Sequence, residues 1–288
     1  MVGASGLVGR ACLEAFARRA EVVGTYHGRP SPGLVPFDMT DATEVAALLD
    51  RVTPRAVICA GAAPHVEGCE SDPVGTRRVN VDGTLRLAHA ARERRVPFVA
   101  FSSEYVFDGT AGPYAEDAVR HPLNEYGRQK ADVEVAVSAM PRALVVRTSG
   151  VFGWSDDGKN FVLQLMARLA DGERMRVPVD QDITPAYAPN LADVVADLVD
   201  AGVSGIVHVA GARPLNRVEF ARTAARVFDL DAALIEPTPT DALGLKAARP
   251  RKAGLLTGKA ASLARTKLLD PEEGLWTMRA AGPNGRME

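Results

Sequence analysis

Cysteine is scarce in this chain. Its three thiols, Cys12, Cys59 and Cys69, form an odd set without C-x-x-C spacing among 288 residues, which excludes a disulfide framework and a zinc knuckle. Cys12 falls in a helical pattern and Cys59 in a strand pattern, where a reduced thiol behaves as a small hydrophobe. The five histidines, His27, His65, His89, His121 and His208, share no metal-ligand spacing with one another or with the cysteines, so no metal is expected. An excess of charge of one sign is missing too. With 34 basic and 36 acidic residues the net charge is −2, which gives no broad basic field for nucleic acid or an anionic membrane. Arg92, Arg94 and Arg95 cluster only at the end of a helical pattern, where cations suit the helix dipole. No apolar run reaches membrane-spanning length, and Met1 leads straight into a glycine-rich turn instead of a charged, apolar leader; a cytoplasmic protein is expected.

What the chain does have is an apolar fraction of 47%, enough for a substantial core, and a regular alternation of strand and helix patterns. Gly3-Ala4-Ser5-Gly6-Leu7-Val8-Gly9 fits G-x-x-G-x-x-G and runs into an amphipathic helical pattern, Arg10 to Arg19. Glycines at this spacing let the backbone turn sharply and approach a pyrophosphate seated on the helix N-terminus. The next strand, Glu21 to Tyr26, completes a loop-helix-strand order. It ends in Tyr26-His27-Gly28-Arg29-Pro30, without the acid that an NAD site offers to the ribose 2′-hydroxyl. NADPH is therefore expected over NADH, with Arg29 either at the 2′-phosphate or solvated in its loop. Only Met1 and Val2 precede Gly3, although the fold needs a central strand there. Either a true start lies upstream or the sheet lacks that strand; the first is favoured, because two neighbouring strands would otherwise lose their shared partner.

Further strands are expected at Leu34 to Asp38, Arg55 to Ala63, Val96 to Ser103 and Ala143 to Ser149. Helices are expected from Thr40 or Asp41 as N-cap to Leu49, and from Asp72-Pro73 to about Arg95. The longer one carries Asn80, equally a buried polar bridge or a surface amide. The small residues Ala60, Gly61 and Ala62, with Asp38 and Met39, belong to the expected dinucleotide site. The alternation argues an α/β fold, a Rossmann-type doubly wound parallel sheet at residues 1–150. Residues 151–288 form a smaller C-terminal substrate lobe partly interleaved with it, with a polar tail, Ala280 to Glu288, expected to fray.

Within Asn124-Glu125-Tyr126-Gly127-Arg128-Gln129-Lys130, a helix starting near Tyr126 stacks Lys130 one turn below it. A neighbouring cation lowers a phenol's pKa, suiting Tyr126 to proton donation. Ser103, at the end of the strand before, can hold a carbonyl, and Glu104 to Tyr114 reads as a loop over the site.

These motifs, with Val79-Asn80-Val81-Asp82-Gly83-Thr84, Tyr105-Val106-Phe107-Asp108-Gly109, Pro122-Leu123-Asn124 and Val146-Arg147-Thr148-Ser149, resemble the extended short-chain dehydrogenase/reductases, in particular the dTDP-4-dehydrorhamnose reductase subgroup. The resemblance implies NAD(P)H-dependent reduction of a keto group on a nucleotide-linked deoxysugar. It makes Tyr126 the proton donor, Lys130 its pKa-lowering partner and ribose anchor, and Ser103 the carbonyl-orienting hydroxyl. It puts Glu104, Tyr105 and Arg249 beside the substrate, the last as a diphosphate partner or else a solvated loop cation. Ser103 stands where threonine is usual, Glu104 where aspartate is, and Gly150 replaces the tryptophan of the family's Arg-Thr-Ser-Trp run; the last puts rhamnose itself in doubt. The same subgroup includes the regulatory subunit of methionine adenosyltransferase, so a non-catalytic, NADP-binding role is an alternative, as is reduction or epimerisation of another carbonyl compound. Dimer contacts between helix pairs are frequent in the family; a homodimer is possible, and no feature of this sequence decides it.

Overall fold

The computed structural model describes residues 1–283. In chain order its elements are α1 (Leu7–Ala17), β1 (Thr25–Tyr26), β2 (Val35–Pro36), α2 (Ala42–Val52), β3 (Val57–Cys59), α3 (Val66–Ser71) and α4 (Pro73–Arg77). A π-helical turn, Arg78–Gly83, leads into α5 (Thr84–Glu93) and β4 (Phe98–Ser103). Then follow α6 (Glu125–Ser138), β5 (Ala143–Thr148), α7 (Phe161–Ala170), β6 (Met175–Pro178), β7 (Asp182–Ile183), α8 (Ala188–Asp200) and β8 (Gly205–His208). The chain finishes with β9 (Leu215–Asn216), α9 (Arg217–Val227), β10 (Ile235–Thr238), α10 (Gly258–Leu263) and α11 (Pro271–Ala281).

Local chemistry accounts for the helix starts nearest the site. Asp41, not Thr40, caps α2, accepting from the Thr43 and Glu44 amides at 2.7 and 3.2 Å. Asn124 caps α6 through the Gly127 amide at 2.9 Å, which places Tyr126 in the first turn. Every residue of β5 is buried, as expected of a parallel strand covered on both faces.

The main sheet is parallel, β3-β4-β5-β8, with β1-β2 beside it. Met1 to Ala4 joins the two parts. The Val2 amide donates to the Ile58 carbonyl at 2.8 Å and the Ala60 amide to the Val2 carbonyl at 2.9 Å. On the other side the Thr25 amide donates to Met1 at 2.9 Å and the Ala4 amide to Thr25 at 2.8 Å. The strand positions thus follow the doubly wound order, with Met1 to Ala4 in the central place as the expected truncated first strand, bridged to β3 by the pair Val2 and Cys59. A parallel ladder needs few residues to satisfy both neighbours at this point, because β1 and β3 are themselves only two and three residues long.

One correction concerns the long helix. The segment from Pro73 is interrupted by the π-helical turn and ends at Glu93, with Arg95 at φ +57. The fraying expected from Ala280 does not occur at Ala280 and Ala281, which close α11; residues 284–288 lie outside the described residues.

The second half of the chain builds two small sheets, β6 parallel to β10 and β7 antiparallel to β9. With α7, α9 and α11 they enclose a core that includes Phe152, Leu165, Phe220, Leu275 and Met278. In contrast, β8 extends the main sheet, and α8 packs on α1 through small residues, Ala188 and Ala192 against Ala11, Cys12 and Ala15. Among the described residues no helix is long and apolar enough to cross a membrane.

Candidate active site

At the carboxyl ends of the strands, where ligands of open α/β sheets bind, a groove of about 350 Å³ is lined by Gly3, Ser5, Gly6, Leu7, Val8 and Gly9 together with Asp38, Met39, Ala60, Gly61 and Ala62. Two of the glycines are required by close approach. A Cβ on Gly3, at φ +77, would lie 2.5 Å from the Gly61 nitrogen, and one on Gly9 would overlap the Gly3 carbonyl. Gly6 is different: a Cβ there would meet only the Gly3 carbonyl oxygen, at 3.6 Å. Gly6 is also the N-cap of α1, with no side chain bonded to the first amides and no acid in the first turn. Those amides and the positive end of the helix dipole are left to an anion. The cradle fits a dinucleotide's pyrophosphate.

Arg29 is not part of this groove. It is exposed and faces Asp157, with the closest nitrogen–oxygen approach at 3.9 Å. The wall at that end is formed by Tyr26 and His27. Asp38 lines the groove while its carboxylate caps the Thr40 amide at 2.8 Å; that bond offsets its burial and holds its pKa below the ordinary value.

Asn80 is the buried bridge. Its Oδ1 accepts from the Ala63 amide at 2.7 Å, and its Nδ2 donates to the Ala63 carbonyl at 3.1 Å and to Gln129 Oε1 at 2.8 Å. The π-helical turn in which Asn80 sits therefore ties the loop after β3 to α6, the helix that carries the tyrosine.

The structure brings Ser103, Tyr126 and Lys130 together. Ser103 ends β4, and its hydroxyl donates to Glu104 Oε2 at 2.5 Å. The Tyr126 ring meets Tyr105 edge-on at 5.7 Å between centroids, and Lys130 Nζ stands 5.7 Å from the Tyr126 ring centre. Lys130 itself is buried and donates to the Phe101 carbonyl at 3.0 Å. Burial raises the Tyr126 phenol above the ordinary tyrosine range, Glu104, Tyr105 and Cys69 add to the rise, and the Ser103 hydroxyl opposes it. The expected depression of that pKa by Lys130 is thus corrected: desolvation dominates, and it lowers the lysine as well. Tyr126 keeps its proton at neutral pH, as a donor must.

Beneath these groups lies a buried ion pair that the sequence did not flag. Arg147 Nε and Nη2 donate to the two oxygens of Glu134 at 2.8 and 2.7 Å, and Ser102 Oγ donates to the same carboxylate at 2.5 Å. Arg147 Nη1 reaches the Glu116 carbonyl at 3.0 Å and lies 3.1 Å from His208 Nε2. Burial, with Arg147 close by, holds the fully buried His208 down to about 4, while Glu116 opposes. The folded chain therefore keeps this imidazole neutral where the unfolded chain protonates it. Stability is complete above about pH 6.5, falls as pH drops toward 4, and loses on the order of 3 kcal/mol across that window. Urea midpoints measured at pH 7 and pH 4.5 will show this loss, and it will shrink in His208→Gln; an equal loss in the variant would refute the assignment.

Arg249 lies 5.9 Å over Tyr105, but it is already bonded to Glu67 at 2.6 Å, an acid the sequence did not flag. Gly150 sits at φ +50, where a Cβ would lie 3.3 Å from Ile183 Cδ1, so a side chain there would be strained and tight. Two further side chains were missed. Thr148 Oγ1, across the ladder from Ser103, is buried without a partner, and so is Nε of Arg217.

Comparison with known proteins agrees with this geometry. The family model described as RmlD substrate binding domain matches residues 1–281. The chain is 36% identical over 264 residues to the probable low-salt glycan biosynthesis reductase Agl14 of Haloferax volcanii, covering 88% of each. It is 31% identical over 258 residues to the dTDP-4-keto-6-deoxy-D-glucose reductase of Streptomyces niveus, covering 87% of this chain and 85% of that one. Its fold matches the dTDP-4-dehydrorhamnose reductase of Bacillus anthracis, solved in complex with NADP, with a TM-score of 0.88 and 23% identity over 96% of both chains. The chain belongs to the RmlD substrate-binding-domain family of extended short-chain dehydrogenase/reductases.

Proposed function

We propose that this oxidoreductase reduces the keto group of a nucleotide-linked deoxysugar, with NADPH as its reductant. The observation that carries the reading is the meeting of Ser103 and Tyr126, with Lys130 a turn away, at the strand ends beside the glycine cradle. The cradle would hold the pyrophosphate on the first amides of α1, and Lys130 would hold ribose hydroxyls. When bound, the reduced nicotinamide supplies the hydride. The protein's own part is positioning and proton delivery. Ser103 orients the carbonyl oxygen, and Tyr126, protonated at neutral pH, donates to that oxygen as negative charge develops on it.

NADPH is favoured by the absence of an acid from Tyr26 to Pro30 and by the NADP complex of the Bacillus anthracis relative. Separate titrations with NADPH and NADH test it; tighter NADH binding would reverse the assignment. Oxidation of NADPH by dTDP-4-keto-6-deoxyglucose, followed with product analysis, tests the reaction. A regulatory role without turnover would leave Ser103, Tyr126 and Lys130 without use. The reading includes a cytoplasmic location, and sedimentation velocity will decide between monomer and homodimer.

Gly6 isolates the cradle from the fold. Gly6→Ala finds a permitted backbone, φ −88 and ψ 165, and no overlapping atom, so the melting temperature will change by no more than about 2 °C. NADPH affinity will nevertheless fall roughly tenfold or more, because the added methyl stands where the pyrophosphate must approach the backbone. Unchanged NADPH affinity in this variant would remove the cradle from the site.

A further inference from the structure

Glu104 follows Ser103 in the chain and is assigned no step in the chemistry above. Its surroundings do not suit a charge: the residue is 4% exposed, and among the described residues it is in no ion pair within 4.0 Å. A carboxylate withdrawn from water without a counter-ion is costly, and the group takes up a proton instead. Burial pushes its pKa above the ordinary carboxylate value, against the Ser103 and Ser149 hydroxyls and the charge of Arg217. Its short contact, at 2.5 Å, is with Ser103 Oγ.

A serine hydroxyl has one hydrogen to give and two lone pairs to fill. The Tyr105 amide donates to Ser103 Oγ at 3.4 Å, which occupies one lone pair. As long as Ser103 donates to Glu104, as a charged carboxylate requires, its single hydrogen cannot serve a substrate carbonyl. With a proton on Glu104 the same 2.5 Å contact runs the other way: the carboxyl donates to the second lone pair, and the Ser103 hydrogen is free. A negative Glu104 would also oppose the chemical step, since it adds to the rise of the Tyr126 phenol and would repel the charge that develops on the carbonyl oxygen. Ser149 fits the neutral form. Its oxygen accepts from the Thr184 amide at 3.1 Å, and its hydrogen is left for the Glu104 carboxyl, which can accept there while it donates to Ser103.

We infer that Glu104 is a positioning residue that works as a neutral carboxylic acid, donating to Ser103 Oγ and so turning the Ser103 hydrogen toward the carbonyl oxygen of the substrate. The inference rests on the reductase reading and deepens it. No proton leaves Glu104 during turnover; the one delivered to the product comes from Tyr126.

Infrared difference spectra and steady-state kinetics of the full chain test this with Glu104→Gln and Glu104→Met. At pH 7 the wild-type-minus-Glu104→Gln spectrum will show the carbonyl stretch of a protonated carboxyl; a carboxylate band in its place overturns the inference. Glu104→Met, which has nothing to donate to Ser103, will lower kcat/KM for keto-sugar reduction roughly 10- to 100-fold and leave NADPH affinity within about twofold. Glu104→Gln, whose amide can donate as the acid does, will recover most of that loss. A Glu104→Gln variant as slow as Glu104→Met overturns the inference, because a charge or a transferable proton would then be what the site needs. So does a lowered melting temperature with loss of NADPH binding in both variants, which marks a carboxyl that only holds the fold. The infrared spectra require neither cofactor nor substrate, so failure of the reductase reading, seen in the wild type as no keto-sugar turnover, is distinguished from failure of the neutral acid.

Discussion

Tyr126→Phe will lower kcat for keto-sugar reduction by roughly 10²- to 10⁴-fold, the usual yield of a positioned proton donor, while the Kd for NADPH stays within about a factor of two. The substitution removes one oxygen and little else. The ring keeps its edge-on contact with Tyr105 at 5.7 Å and its place in the first turn of α6, which Asn124 caps. Lys130 keeps its bond to the Phe101 carbonyl, so the ribose anchor is not disturbed. What is lost is a phenol that burial holds protonated beside Ser103. Stopped-flow reduction of a saturating keto-sugar nucleotide, with NADPH binding followed separately, is the measurement. Turnover above a tenth of the wild-type rate would take the proton from elsewhere and end Tyr126's candidacy. Loss of NADPH binding along with turnover would instead mean that the ring, not the hydroxyl, was needed.

The second large effect is on stability. Glu134→Ala will lower it by about 3–5 kcal/mol, because Arg147 is left as a buried, unpaired cation. Both partners are almost fully sealed, at 1% and 0% side-chain exposure, so water cannot take over. The loss reaches further than one pair: Ser102 loses its acceptor, and Arg120, 3.3 Å from Glu134, loses its ion pair. For a chain of this size the midpoint of thermal unfolding should fall by roughly 10 °C. The double variant Glu134→Leu with Arg147→Met should recover most of that loss, since it removes both charges and keeps the volume. A fall of less than about 2 °C in Glu134→Ala, or a double variant no better than the single one, would mean that the pair is solvated in the folded protein. Because Ser102 precedes Ser103 and Glu134 lies two turns beyond Tyr126 on α6, the same change should also raise KM for the sugar nucleotide.

Much of this arrangement is legible in the residues themselves. The glycine loop, the small residues after β3 and the Tyr126–Lys130 spacing are local signals, each set by one stretch of backbone, and the structure brings the cradle residues into one groove. Cap chemistry likewise gave α2 its start to within a residue, and the Tyr126–Lys130 pair placed the start of α6 one residue late. What the sequence leaves out is distance between segments far apart in the chain: Asp157 facing Arg29 and Glu67 bonded to Arg249 carry no local signal. The Lys130 effect failed for a related reason: four-residue spacing fixes which side chains are neighbours, while the pKa is decided by how much water the fold removes. Arg217 could not have been singled out at all, because a cation in the first turn of a helix carries no periodic signal, and its burial depends on Phe161 and Gln181.

The π-helical turn between α4 and α5 sets a limit on regularity here. Deleting one residue within Arg78–Gly83 would let the chain from Pro73 to Glu93 wind as an uninterrupted α-helix, the form with better-aligned hydrogen bonds. Leu87, Ala88 and Ala91 anchor α5 in the core, so the mismatch would pass to the other end. There α4 would turn by about 100° and advance by about 1.5 Å, carrying Asn80 off the loop after β3 and Thr76 away from Gln129, to which it is bonded at 3.0 Å. The straighter helix would thus belong to a protein whose tyrosine helix had lost its lateral brace, so an insertion or deletion in this six-residue stretch should be far less tolerated than a substitution on its exposed face.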